Sequence, residues 1–546
     1  MRGARSAKWA AVAIVVALAA TACGSDDDKG GSGDGGNASG NASGIVKVDG
    51  GEPQAALVPT STNEQYGSLV IKNVFANLLD FEDDGSIKYV AAESVESNDD
   101  ASVWTVTLKD GFTFHDGEAV TAQHYVDAWN WAANVDNGQS QSAWFEDIEG
   151  YADVHPSEEG AEPTAETMSG LKVVDDLSFE ITLANPVSYY NYKLGYHVFA
   201  PLPSSFYDDP AAFGENPIGQ GPYKFESWTH NERISLTTYA DYAGPNKAQN
   251  GGVEITAYDN LSTAYQDLVS DNLDVLRQVA PQDLPVYMDE LGERAIAQPY
   301  NATQSIVPVF YAGWGELDDP SKVIQGVSMA IDRETITQTV LHGSRTPADS
   351  FVPPGVFGYE AGAADGKTDF DPETARQLVE EGGGVPGGTI TIQFNADANH
   401  DEWVTAVCND LIKNLDIECL KDAKTDFATD LEERRADNVK STYRGGWLQD
   451  YPLNVNFLRD LYSTTAPSNY GRYSNAEVDD LFKQGDQAGS FDDTVAAYQD
   501  AEKVLWEDMP AIPLWYQNVN GGYSNNVENV RFDVAGQPVI EEITVK

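Results

Sequence analysis

Apolar residues recur along this chain with two different periods, and that mixture restricts the fold more than any other feature. In Trp104-Thr105-Val106-Thr107-Leu108 apolar and polar side chains alternate, as they do at Phe179, Ile181 and Leu183 and at Ile390, Ile392 and Phe394. A strand turns successive side chains to opposite faces, so each segment reads as a half-buried strand. Val323, Val327 and Ala330 are instead spaced by four and three, and Tyr125, Trp129 and Ala132 share a face of a helix beginning near Thr121. Strands interleaved with amphipathic helices exclude an all-helical or an all-β protein and point to the α/β class.

Local signals place several boundaries. Asp332 stands as an N-cap ahead of a helix carrying Ile336 and Val340, and Asp371-Pro372-Glu373-Thr374 combines an Asp cap with proline at the first helical position. Val70–Leu79, Asp401–Leu415 and Thr494–Trp506 read as helices, Ile417–Leu420 as a strand, and Gly219–Tyr223 as a tight turn leading into a strand. The segment from about Ile512 is strand-like and can return to the first part of the chain. A chain of 546 residues is long enough for several domains.

The amino terminus speaks to compartment. Arg2, Arg5 and Lys8 precede Trp9–Ala20, an unbroken apolar run of 12 residues. That is too short to span a bilayer and right for the apolar region of a signal peptide. Ala20-Thr21-Ala22-Cys23 follows, small residues and then a cysteine. The pattern resembles a bacterial lipobox, which implies residues 1–22 as a lipoprotein signal peptide and Cys23 as a lipid-carrying first residue; an ordinary cleavage flank with a free thiol is the other reading. Residues 23–44, rich in Gly, Ser and Asp, read as a flexible tether with almost no apolar surface to offset ordering.

Lys and Arg number 33 against 87 Asp and Glu, a formal charge of -54. Binding to phosphate backbones needs basic residues in quantity, so a nucleic-acid partner is disfavoured. Aromatic residues at 10 % argue against a chain disordered throughout.

Catalytic and cofactor signals are absent from the sequence. The seven histidines form no H-E-x-x-H pair, and neither a phosphate-binding G-x-x-x-x-G-K-[ST] loop nor a G-x-S-x-G elbow occurs. Cys408 and Cys419 could form a disulfide outside the cytoplasm or remain buried thiols; zinc fits poorly, since only His400 lies near them and the spacing is wrong. The segment Arg444-Gly445-Gly446-Trp447-Leu448-Gln449-Asp450-Tyr451-Pro452 sets a guanidinium, an aromatic plate and a carboxylate within seven residues. It reads either as a surface ion pair beside a core tryptophan or as a cleft loop with charges of both signs, suited to a zwitterion.

Seven segments in order carry a resemblance: Gly111–Trp129, Gly170–Leu183, Asn216–Trp228, Val327–Ile336, Phe370–Val379, Arg444–Pro452 and Ala501–Trp515. The chain resembles the extracellular solute-binding proteins of peptide-importing ABC transporters, the oligopeptide- and dipeptide-binding family. The resemblance implies a two-lobed, periplasmic-binding-protein-like clamp with a two-strand hinge: lobe one at 45–305 plus 515–546, with an extra subdomain at about 80–205, and lobe two at 306–514. It implies Asp450 on the ligand's α-ammonium, Trp447 lining a side-chain pocket, and Arg444 reaching the carboxylate of a short peptide. It further implies a monomer without cofactor or metal that hands short peptides to a permease at the outer face of the cell membrane. Nickel chelates, opines and oligosaccharides stand as other solutes for such a clamp, and a surface lipoprotein without a transport role as a different class.

Overall fold

The computed structural model describes residues 41–62, 64–158 and 160–546. Cys23 and most of the expected tether lie outside the described residues. The last four tether residues, Asn41–Gly44, are tied to the body, with the Asn41 N–H donating to the Val545 carbonyl at 2.6 Å.

Eleven strands form the principal sheet: β1 (Ile45–Gly50), β2 (Tyr223–Thr229), β3 (Arg233–Thr238), β4 (Gly252–Ala257), β5 (Val275–Leu276), β6 (Ala295–Pro308), β7 (Arg345–Pro347), β8 (Thr389–Asn395), β9 (Glu418–Lys424), β10 (Thr442–Leu448) and β11 (Ile512–Tyr523). Their order is β9-β8-β10-β6-β11-β5-β1-β4-β3-β2, with β7 also on β11. The sheet thus divides into a half built around β1 and a half built around β8. β6 and β11, the two longest strands, join the halves. The two are antiparallel, and their register shifts between Pro299 and Thr303. Proline has no N–H for a ladder, so the pairing is interrupted where the two connecting strands pass between the halves. The expected lobe limits at 305/306 and 514/515 fall inside these two strands.

In the second half, β8 and β9 are parallel and so are β8 and β10. Parallel neighbours need crossovers, and helices α3 (Asp401–Leu415) and α4 (Phe427–Arg435) supply them. Within the expected subdomain, a separate four-stranded antiparallel sheet (Ala92–Ser97, Val103–Leu108, Ser178–Thr182, Leu171–Asp175) packs on α2 (Ala122–Ala133). Its core is aromatic: Trp129 is fully buried, edge-on to Phe179 and Phe199 at 5.3 and 5.1 Å between ring centroids. The half-exposed pattern of Val103–Leu108 matches its alternation, because one face of this sheet meets that core.

Cap signals hold in detail: the Asp371 side chain accepts from the Glu373 and Thr374 N–H groups, and Asp332 from that of Thr335. One element departs from expectation. Val70–Leu79 is not one helix; α1 runs Gln65–Val74, and Leu79–Phe81 is a strand. Glu64 caps α1 by accepting from Tyr66 and Gly67, and Phe75 leaves the helix in an extended conformation. An apolar run reads the same across such a junction, so periodicity could not separate the two pieces.

The expected subdomain reaches the helices Ala476–Asp486 and Phe491–Asp508 directly. Tyr189 Oη donates to Asp486 at 3.1 Å, the Ser188 N–H donates to the Asp486 carbonyl at 3.2 Å, and Tyr192 stacks on Phe491 with centroids 4.9 Å apart.

Candidate functional site at the end of β10

β10 brings Arg444, Trp447 and the turn at Asp450 to the junction of the two halves. It pairs with β6 along its whole length, from Thr442 opposite Pro308 to Leu448 opposite Ala302. On its other side only Thr442 and Tyr443 pair with β8. From Arg444 onward, β10 therefore presents a free backbone edge among the described residues. Gly445 allows the close approach to β6: a Cβ there would collide with Ser305 and Val307. Beyond the strand, Gln449 is held at the register shift, its N–H donating to the Asn301 carbonyl at 3.0 Å and its Oε1 accepting from Asn301 Nδ2 at 2.8 Å.

Asn456, on helix α5 (Asn454–Tyr462), organises the turn. Its Oδ1 accepts from the Trp447 indole N–H at 3.2 Å and from the Asp450 N–H at 2.9 Å. With both acceptor positions used, Nδ2 must face the other way, and its two hydrogens go to Asp450 at 2.9 Å and Asp460 at 3.0 Å. Two carboxylate oxygens sharing one amide nitrogen stand roughly 5 Å apart. Their repulsion is on the order of 3 kcal/mol at the effective dielectric of a partly buried site. The nearest cations are committed elsewhere: Lys193 to Asp147 and Arg459 to Asp486 at 3.1 Å. Burial raises Asp450 to about 7, opposed by the Asn456 hydrogen bond and reinforced by Asp460. Burial likewise raises Asp460 to about 6, against the pull of Arg459 and Lys193.

Asp450 opens onto a cavity of about 340 Å³ between α1, the Tyr196 region, residues 531–541 and the Leu448–Asp450 turn. Arg444 and Trp447 line a different one, of about 180 Å³, with Phe427, Arg434, Tyr443 and Tyr462. Arg444 and Asp450 therefore form no ion pair, and the structure brings Trp447 and Asp450 together only through Asn456. The smaller cavity is walled by aromatic rings and two guanidiniums. Arg434 pairs with Asp430 and lies over the Tyr443 ring, 4.4 Å from its centroid. The Nε atoms of both Arg434 and Arg444 are buried without a partner. Burial, with Arg434 nearby, lowers Arg444 to about 10, so it stays cationic.

His400 joins this basic group, although the sequence offered it only as a neighbour of the cysteines. Its Nδ1 accepts from the Trp403 indole at 3.0 Å. The ring is kept neutral by burial and by Arg444, Arg345 and Arg434. The proton therefore sits on Nε2, a buried donor without a partner. Cys408 and Cys419 are joined, S–S 2.06 Å, tying α3 to β9. Among the described residues no group of three or more His, Cys, Asp or Glu side chains is placed to hold a metal ion.

A model of the bacterial extracellular solute-binding proteins, family 5 (middle region), matches residues 86–469. The chain belongs to this family. Among its relatives is the oligopeptide-binding protein OppA of Bacillus subtilis, 22 % identical over 503 residues, covering 88 % of this chain and 89 % of the relative. Another is the Escherichia coli protein named "Probable deoxycholate-binding periplasmic protein YgiS", 25 % identical over 479 residues, 84 % of this chain and 86 % of the relative. Haemophilus influenzae OppA in complex with the peptide RPPGFSPFR shares the fold, with a TM-score of 0.74, 21 % identity and coverage of 93 % and 99 % of the two chains. The two-lobed clamp is thus the architecture of this family 5 protein, with Asp450 and the free edge of β10 where its halves meet.

Proposed function

We propose that this protein binds short peptides outside the cell and delivers them to an ABC permease, the peptide lying in a closing cleft between lobes at 45–305 plus 515–546 and at 306–514. The observation that carries the reading is the unpaired edge of β10 running into a half-buried carboxylate with no cation of its own. An extended peptide presents the N–H and C=O groups that such an edge lacks, as an added strand does. Its backbone is common to all sequences, so recognition through it tolerates varied side chains. Asp450 then takes the α-ammonium through a charge-assisted hydrogen bond, and Arg444 and Trp447 receive the distal part of a short ligand. Hinge motion at the register shift encloses the ligand. A lipid on Cys23 holds the monomer at the outer face of the cell membrane, and no chemistry is done on the ligand. Relatives named as oligopeptide-binding proteins support the reading.

One observation favours a second reading. The smaller cavity, with its aromatic walls and two guanidiniums, suits an apolar body bearing a carboxylate, and one relative is named for deoxycholate. The two readings part at Asp450. Replacing it in Asp450→Ala leaves a bound ammonium unpaired and weakens peptide binding by about 2–5 kcal/mol, whereas an apolar acid is unaffected. Native purification followed by mass analysis of what denaturation releases, then calorimetry on wild type and variant, separates them. A mixed set of peptides and a loss in the variant are expected; equal affinities overturn the role given to Asp450.

A further inference from the structure

Asp450 does not stand alone at the ammonium end of the cleft. Asn456 is the i−4 neighbour of Asp460 on α5, so both project from one face of that helix. The Asn456 carboxamide is fully committed, with two donors entering its oxygen and two carboxylates taking its hydrogens. Nothing else bonded to this carboxamide carries positive charge.

We propose that Asp460 is a positioning residue for ligand capture: held beside Asp450 by Asn456, its charge keeps a proton on the Asp450–Asp460 pair in the empty cleft, and an arriving cationic group expels that proton. The inference rests on the reading of Asp450 as the ammonium site. Two carboxylates on one amide cannot both ionise cheaply in a half-buried setting, and they behave as a pair that shares a proton. The upward displacement of both groups agrees with this. The other charged and titratable groups facing the pair are Lys193, Glu146, Tyr189 and Tyr196 from the expected subdomain and Arg459 and Tyr451 from the 306–514 part. Lys193 and Arg459 lower the pair, but each already serves another carboxylate. Glu146 is itself raised by burial and adds no cation. The proton goes from a neutral carboxyl to solvent as the ligand's ammonium replaces it, so charge at the site is conserved.

The test uses the purified protein with trialanine as probe, alongside the carboxyl resonances of isotopically labelled aspartate. Wild-type affinity falls about 100-fold as pH drops from about 7.5 to about 5, because only ionised Asp450 accepts the ammonium and each unit below its midpoint costs tenfold. In Asp460→Asn the Asp450 midpoint moves down by about one unit or more, and the same pH drop costs about tenfold or less, while affinity at the upper pH changes little. Asp460→Glu restores the wild-type profile, which a merely structural role for Asp460 does not require. A wild-type pH profile and an unmoved Asp450 resonance in Asp460→Asn overturn the inference and leave the peptide reading intact. No trialanine binding at any pH, with the resonance shifting as expected, overturns the peptide reading and supports the coupling of the pair.

Discussion

At the level of single residues, the site is built around an acid the fold holds at some cost. Asp450 has a folded pKa of about 7, raised by burial, against about 3.9 in an unfolded chain. A raised carboxyl pKa means that its stabilising contribution is complete below the unfolded value and is lost as pH rises through the folded one. Asp450→Asn removes the ionisable group, so the variant should melt higher than wild type at pH about 8 and alike at pH about 4. Thermal unfolding of the ligand-free protein at both values checks this. The same residue shows what sequence could and could not reveal. Trp447 and Asp450 were legible because they belong to a compact motif with glycines. Asp460 was not, because one acid among 87 Asp and Glu carries no signal by type. Asn456 and His400 became visible only once their hydrogen-bond partners were in place.

Elements were legible where a cap or a period marked them and obscure where long-range pairing decided. Asp371 and Asp332 follow from short-range rules, since each cap bonds within its own turn, and Asp401–Leu415 is a helix as its local pattern predicts. The end of α1 and the free edge of β10 do not, because an apolar run hides the junction of helix and strand and the partners of β10 lie far outside any local window. The disulfide lies between these cases: two cysteines permit it, and only the packing of α3 against β9 brings their Cα atoms to 5.2 Å. With a sequence separation of 11 it closes a short loop. The paired change Cys408→Ala and Cys419→Ala should lower unfolding stability by about 3 kcal/mol, measured by denaturant titration. An unchanged midpoint would show that the crossover from α3 to β9 needs no staple. Because β9 lies at the edge of the sheet, separated from β10 by β8, peptide affinity should survive the change.

For the whole molecule, the decisive contacts are those between Ser188 and Tyr189 and the helices that carry Asp486 and Thr494. Asp486 accepts from Tyr189 Oη at 3.1 Å and from Tyr498 Oη at 2.6 Å and forms an ion pair with Arg459, N···O 3.1 Å, while Ser188 Oγ lies 2.5 Å from Thr494 Oγ1. None of these groups lines either cavity, so they bear on closure and not on ligand contact. Tyr189→Phe removes one hydrogen bond to a charged acceptor, about 1.5–3 kcal/mol, which under the proposed closing motion shifts the open–closed balance toward open. A lower closed fraction reduces apparent affinity for every ligand by one common factor. Small-angle scattering should show a more extended ligand-free protein, and calorimetry a uniform loss across peptides; a loss confined to some peptides would place Tyr189 in the cleft instead. The strand-like segment after Ile512 permitted a double crossing of the chain without requiring it, and nothing local marked the register shift beside Pro299.

The Asn41 N–H bonded to the Val545 carbonyl has a mechanical meaning. Residues 41 and 545 sit side by side next to β1, outside the principal sheet, so tension applied through either one enters the same part of the molecule. The load path never runs through β6 and β11. A pull at these two points shears the contact between them, so the closing motion proposed for β6 and β11 would proceed without working against it.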